Sequence, residues 1–311
     1  MKIALVGIGK IARDQHIPAI AASADWDLAA TVSRHGAVEG VESFSDFDAM
    51  LSARPDIPAV SLCLPPVPRF DYAAAALRAG RHVMLEKPPG ATLSECHALE
   101  AMARDRGLSL YATWHSREAA QVAPAKAWLA GKTIRQARVT WKEDVRRWHP
   151  GQDWIWRPGG LGVFDPGINA LSILTEILPE PVHLTRARLT FPSNRQTPIA
   201  ADLGFAHPGG ADVTAVFDWR QKGEQTWTIE IETDEGALLL AEGGARLSID
   251  GVEQPVAKAE GMPLSGEYPR LYVKMAALVA RGGIDMDLAP MTHVADAFTL
   301  GERLVTDPFH D

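Results

Sequence analysis

The chain predicts an α/β protein of two domains. The first, residues 1–117, reads as a doubly wound parallel sheet, and the second, residues 118–311, as an α+β domain with a large, mostly antiparallel sheet. Three observations support this. Apolar strand-like runs alternate with helical stretches up to about residue 117, and a glycine-rich turn follows directly on the first of them. Beyond about residue 180, period-two runs succeed one another across short turns. With 311 residues, 46% of them apolar and 23% charged, each domain can bury its own core.

Lys2-Ile3-Ala4-Leu5-Val6 opens the chain as a short strand, and Gly7-Ile8-Gly9-Lys10-Ile11-Ala12 follows it. That is the G-x-G-x-x-G/A spacing of a Rossmann dinucleotide turn. The first glycine permits the tight turn, the second lets backbone approach a pyrophosphate, and the small Ala12 allows the helix to pack close to the strand. Gly7, Gly9, Lys10 and Ile11 are therefore placed against the phosphates. The plainer reading, a glycine turn that binds nothing, is weakened by the strand–turn–helix context.

The second strand, about Leu28–Val32, ends in Ser33-Arg34-His35. An NAD-specific site usually carries Asp or Glu at this distance from the turn, to hold the ribose 2′-hydroxyl. Here no carboxylate stands to repel a 2′-phosphate, and Arg34 can bind one bidentately. Ser33, Arg34 and His35 thus point to NADP as the preferred cofactor, with NAD accepted. Arg34 as an ordinary surface arginine is the alternative.

Val60–Leu64 reads as a buried strand ending at Pro65-Pro66, followed by a helix through Ala73–Leu77 that stops at Gly80. His82–Leu85 is the next strand. Thr92-Leu93-Ser94-Glu95 is a capping box that opens a helix to Arg106, with Gly107 beyond it, and Leu108–Thr113 gives a further strand. Ligands of such sheets collect at the carboxyl ends of the strands. Leu64 and Pro65, Glu86 and Lys87, and Trp114 and His115 stand at those ends and are placed at the cofactor. Pro88 restricts the backbone of Lys87 and admits a cis peptide bond. Lys87 itself reads equally as a donor to a reacting oxygen or as a phosphate-steering or surface lysine. His115 is placed against substrate or nicotinamide, a capped structural histidine being the alternative.

After a helix at about Glu118–Ala130, strands are expected at Val182–Phe191, Ile199–Phe205, Val213–Trp219, Thr226–Thr233 and Ala237–Leu240. Two helices then close the chain, at about Tyr268–Ala280 and Met291–Val305. Before those strands lies an unusual stretch. Four of the nine tryptophans (Trp141, Trp148, Trp154, Trp156) precede Asp165-Pro166, which reads as a helix start with Asp165 as its cap. Asn169 then shares a helix face with Asp165. A polar pair beside flat aromatic rings suits a ligand carrying several hydroxyls, which would bond Glu143, His149 or Gln152 at the rim. Trp154 and Trp156 are placed in that pocket, Trp141 in the core, and Trp148 against its own loop.

The net charge of −8 argues against nucleic acid or anionic membrane as partner. Neither a membrane span nor a signal peptide is evident, and no compact metal-ligand spacing occurs among the ten histidines, so no metal is expected. Cys63 and Cys96 read as reduced structural residues of a cytoplasmic protein.

The glycine turn, the Pro65-Pro66 strand end and above all Glu86-Lys87-Pro88 resemble the glucose–fructose oxidoreductase/inositol dehydrogenase (Gfo/Idh/MocA) family. Trp141-Lys142-Glu143-Asp144-Val145-Arg146, Trp148-His149-Pro150-Gly151-Gln152 and Asp165-Pro166-Gly167-Ile168-Asn169 resemble its branch of bacterial sugar 1-dehydrogenases acting on D-galactose or L-arabinose. The similarity extends over essentially the whole chain. It implies NAD(P)-dependent oxidation of the anomeric carbon of an aldopyranose such as D-galactose, L-arabinose or D-fucose to a lactone. It also implies a catalytic role for Lys87 and Asp165, and a homodimer, with a monomer as the alternative. Most of the family carries a histidine base where Asn169 stands. A carboxamide only orients or hydrogen-bonds, so the proton must pass to Asp165, Lys87 or a water they hold. Oxidation of a secondary ring alcohol, or a non-catalytic NADP-binding sensor, are the rival readings.

Overall fold

The computed structural model describes residues 1–256 and 266–310. The chain forms two compact units. Met1–His115 and Gly266–Leu288 make the first, and the other described residues make the second.

The first unit is built on strands β1 (Lys2–Val6), β2 (Asp27–Val32), β3 (Glu42–Phe44), β4 (Ala59–Leu62), β5 (His82–Glu86) and β6 (Leu110–Thr113). They lie in the order β3-β2-β1-β4-β5-β6, every neighbouring pair parallel. Such strands are covered on both faces, which is why Leu110–Thr113 and Ala59–Leu62 are buried at every position. The crossover helices include α1 (Ile17–Ala21), α2 (Phe47–Ala53), α3 (Pro66–Arg78) and α4 (Leu93–Arg106). Thr92 and Glu95 make the expected capping box on α4, and Gly107 ends it in the left-handed conformation. The strand order reverses between β1 and β4, the place where parallel sheets of this kind hold their ligands.

In the second unit α5 (Val122–Leu129) is followed by β7 (Ile134–Lys142), the short α6 (Val145–Trp148) and α7 (Phe164–Ile177). Strands β8 (His183–Pro192), β9 (Ala200–Ala206), β10 (Asp212–Asp218), β11 (Thr226–Thr233), β12 (Gly236–Ala241), β13 (Arg246–Ile249) and β14 (Val252–Glu253) come next. The sheet is mixed: β7 pairs parallel with β10, whereas β10–β9–β8 and β7–β11–β12–β13–β14 are antiparallel. Helix α7 packs on β7 and β11. It sits close because residue 167 is glycine: a Cβ there would come within 2.8 Å of Phe217.

Two features differ from the sequence reading. Helix α8 (Glu267–Arg281) and the short strand β15 (Ile284–Asp285) belong to the first unit, although the expected boundary left everything beyond residue 117 in the second. The cause is the apolar stripe Tyr268, Leu271, Tyr272, Met275 and Leu278, which joins Ile3, Trp26, Met84 and Tyr111 in one core. The Trp26 indole also donates to the Tyr272 carbonyl at 2.8 Å. Secondly, the last helix, α9 (Ala289–Leu300), stops before Gly301 instead of running to 305. The chain leaves it as an edge strand, β16 (Glu302–Thr306), parallel to β8. A Cβ at residue 301 would lie 2.4 Å from the Ala297 carbonyl oxygen, so only glycine allows that turn. Among the described residues no helix is long and apolar enough to cross a membrane.

Candidate functional site

In the first unit the predicted cofactor residues gather at the carboxyl ends of β1, β4, β5 and β6. Gly7 turns the chain out of β1 with φ +88°, and a Cβ on it would strike Leu64 at 3.0 Å. At Gly9 nothing lies within 4 Å of where a Cβ would stand, and the residue is exposed. Backbone there is open to a ligand, as the pyrophosphate of a dinucleotide requires. The chain is helical from Lys10 to Ala21, with a wider turn at Ala12–His16. The donor set and the open cradle fit a nicotinamide dinucleotide.

The loop after β2 is folded on itself: the Ser33 hydroxyl accepts the His35 N–H at 3.3 Å, while Arg34 and His35 are exposed. Arg13, which the sequence reading did not single out, reaches this loop. Its guanidinium donates to the Ala37 carbonyl at 3.5 Å. Its position one residue beyond Ala12 was the only available signal.

Lys87 follows β5 at the mouth of the sheet, and its bond to Pro88 is cis. Its backbone N–H donates to Glu86 Oε2 at 2.9 Å. Glu86 is buried, and its Oε1 accepts from His16 Nε2 at 3.0 Å and from the Tyr268 hydroxyl at 2.8 Å. Burial opposes the charge on Glu86. The His16 hydrogen bond and positive charge, with lesser help from His115 and Tyr268, outweigh it and hold the carboxyl at about 2. Burial likewise opposes the imidazolium of His16, but Cys63, Tyr272 and Glu86 around it leave its pKa well above the ordinary 6.5. Buried Arg69 of α3 donates to the carbonyls of Leu64, Glu86 and Pro88. His115 is stacked on Tyr268 and lies 2.9 Å from Glu267, and the Trp114 indole donates to the Asp287 carbonyl at 2.8 Å. Both side chains are thus held by the Gly266–Leu288 segment.

In the second unit Asp165 and Asn169 lie one turn apart on α7, as expected, but Asp165 is not the cap. The helix begins one residue earlier, with Val163 in the capping position, and the Asp165 N–H is taken by the Gly162 carbonyl at 2.8 Å. Gly162 packs so tightly that a Cβ would lie 2.4 Å from the Pro198 carbonyl oxygen. The local signal was a helix start, and the preceding loop shifted its register. The Asp165 carboxylate is released from capping and stands, buried, 3.5 Å from His149 Nε2.

His149 packs against Trp219 at 5.3 Å between ring centroids. Glu143 is buried and accepts the indole N–H groups of Trp219 at 3.3 Å and Trp227 at 3.0 Å. Trp219 and Trp227 escaped the sequence reading because they lie more than 60 residues beyond the tryptophan-rich stretch, and strand pairing brings them back. Trp141 is buried opposite Trp227, and its indole nitrogen has no partner among the described residues. Trp156 is buried between Trp219 and Phe309, at 5.2 and 5.6 Å, while Trp154 is half-buried in the loop. Among the described residues no cluster of His, Cys, Asp and Glu is arranged to hold a metal ion.

Residues 1–113 match the model of the GFO_IDH_MocA group, an oxidoreductase family with an NAD-binding Rossmann fold. A galactose 1-dehydrogenase of Pseudomonas fluorescens is 42% identical over 100% of this chain and 99% of its own. The crystal structure of a D-galactose-1-dehydrogenase from Rhizobium etli superposes with a TM-score of 0.94 at 57% identity, covering 99% of this chain and 97% of that one. A 3-ketoreductase from Actinomadura kijaniata, solved with NADP and TDP-benzene, shares the fold at TM-score 0.83 and 21% identity, over 98% and 99% of the two chains.

The buried His16–Glu86 pair gives this site a pH signature. The Glu86 carboxyl is depressed from 4.5 to about 2, so its stabilisation is complete above 4.5 and fades as pH falls towards 2. The imidazole of His16 is raised, so its share is complete below 6.5 and fades as pH rises through the folded value. Urea unfolding of wild type and Glu86→Gln should therefore differ most between about pH 4.5 and 6.5, and less on either side. A pH-independent difference would contradict the ion pair.

Proposed function

The chain belongs to the Gfo/Idh/MocA oxidoreductase family, and on that premise we propose that it is an NADP-preferring aldose 1-dehydrogenase. It oxidises the anomeric carbon of D-galactose, L-arabinose or D-fucose to the aldonolactone. One observation supports the reading beyond family membership: the buried Asp165 carboxylate has the His149 imidazole 3.5 Å away and Asn169 one turn further along its helix. That is a proton acceptor with polar company, set among indoles suited to the C–H faces of a sugar. Full-length similarity to galactose 1-dehydrogenases supports C1 as the position oxidised.

Gly7, Gly9, Lys10 and Ile11 hold the pyrophosphate, and Ser33, Arg34 and His35 the 2′-phosphate. Leu64, Pro65, Glu86, Lys87, Trp114 and His115 enclose the nicotinamide end. Bound there, NADP supplies a hydride acceptor for C1. The family resemblance assigns Asp165 the proton of the anomeric hydroxyl, taken directly or through water, and Lys87 the hydrogen-bond donor that offsets developing negative charge. Asn169 orients that hydroxyl without titrating. Glu143, His149 and the half-buried Trp154 hold the rest of the ring, His115 adds a contact near the reacting carbon, and Trp156 backs the aromatic wall.

A panel of aldoses with NADP, read by absorbance of the reduced cofactor, tests the assignment. Galactose, arabinose and fucose should be turned over, and methyl galactoside, whose C1 oxygen is blocked, should not. Oxidation of the methyl glycoside would move the reaction to a ring alcohol, and inactivity on every sugar would favour a sensor. Arg34→Ala should raise the KM for NADP roughly ten- to a hundredfold, the worth of a charge-assisted contact, with little change for NAD. Equal effects on both cofactors would remove Arg34 from the phosphate. Asp165→Asn should lower kcat by about 10²–10⁴-fold with cofactor affinity nearly unchanged. An enzyme within a few-fold of wild type would transfer the base to Lys87.

A further inference from the structure

We propose that Glu86, held in turn by His16 and Tyr268, is the positioning residue for Lys87. The inference rests on Lys87 serving the reaction as described above. A carboxylate buried away from water is costly unless it is paired and fully hydrogen-bonded. Burying it for stability alone gains little, since apolar side chains of similar volume often serve as well. The geometry shows where this one is directed. Oε2 takes the backbone N–H of Lys87 at 2.9 Å, while Oε1 takes His16 Nε2 at 3.0 Å and the Tyr268 hydroxyl at 2.8 Å.

Each holder is itself held. His16 Nδ1 is 2.8 Å from the Tyr272 hydroxyl, which is 3.5 Å from Ser61 Oγ on β4. The rings of Tyr268 and Tyr272 meet His16 edge-on, at 4.9 and 5.9 Å between centroids. On the other side of the peptide chain Arg69 holds the carbonyls of Glu86 and Pro88. The backbone on both sides of Lys87 is therefore fixed. His16 lies nine residues beyond Gly7, the start of the helix-leading glycine turn, so the same network ties that turn to the lysine.

Three donors converge on Glu86, and a carboxamide cannot serve them all, because its NH₂ would face one of them. Glu86→Gln should therefore loosen Lys87. A displacement near 1 Å at a reacting group lowers turnover by about 10²-fold, and that is the fall in kcat expected. Tyr268→Phe removes one hydroxyl without changing shape and should lower kcat about three- to tenfold. The KM for sugar should stay within about twofold of wild type in both.

The deciding experiment is a double-mutant cycle with Lys87→Ala, read by kcat with NADP and galactose, each variant first checked by its unfolding temperature. If Glu86 acts through Lys87, neither Glu86→Gln nor Tyr268→Phe lowers the residual rate of the Lys87→Ala enzyme any further. Equal losses in both backgrounds would mean that Glu86 merely supports the fold, and wild-type kcat in both single variants would overturn the proposal as well. Should Glu86→Gln not fold, Tyr268→Phe decides alone. A Lys87→Ala enzyme at wild-type rate would bring down the assignment of Lys87 itself, and with it this proposal, a result distinct from the other two.

Discussion

One negative charge in the interior of the first unit organises what surrounds it. The Glu86 carboxylate sits at the end of a strand buried on both faces, where water cannot solvate it. It must be neutralised and hydrogen-bonded by the protein, and the groups that do so come from distant parts of the chain. His16 arrives from the helix behind the glycine turn, Tyr268 from a helix more than 180 residues away in sequence, and the Lys87 N–H from the next peptide. The demand for three correctly placed donors is far more directional than apolar packing. It accounts for the return of the Gly266–Leu288 segment to the first unit: the apolar stripe of α8 supplies the burial, and its two tyrosines supply the polar contacts.

The second unit places a carboxyl group in its interior by another route. Asp165 would be a commonplace residue at a helix entrance if it capped the helix. The loop ahead of it satisfies the first N–H groups with its own carbonyls, and Gly162 allows that loop to approach the Pro198 backbone. The carboxylate is left available to His149. Gly167 works with the same helix by letting α7 settle on Phe217. Two missing side chains, five residues apart, thus set the depth and register of the buried Asp165 carboxylate. The indole N–H groups of Trp219 and Trp227 perform for Glu143 the service that His16 and Tyr268 perform for Glu86. In both units a buried acidic group accepts from donors mounted on rigid elements, which fixes its position.

The substitution of Asn169 for the family's usual histidine acquires a structural context in this light. An imidazole is present beside Asp165 after all, carried by the residue that follows α6 instead of by α7. It reaches the carboxylate from a different direction, with its ring against Trp219.

Sequence alone determined what depends on neighbours close along the chain. The parallel sheet of the first unit, the glycine turn after β1, the capping box at Thr92 and the strand-end position of Lys87 all follow from local periodicity and backbone preference. So did the shared helix face of Asp165 and Asn169. Tertiary structure alone decided which partners those residues meet. His16, Tyr268 and Arg69 carry no local mark of their contact with the Glu86–Pro88 segment, and Trp219 and Trp227 carry none of theirs with Glu143. Asp165 was mistaken for a cap because its nearest neighbours favour one, and a carbonyl in the preceding loop took that role. The physical reason is common to all of these. Turns, caps and periodicity are fixed by interactions within a few residues. The partner of a buried polar group is chosen by whichever donor the packed fold brings within about 3 Å, and that distance is set by the whole chain.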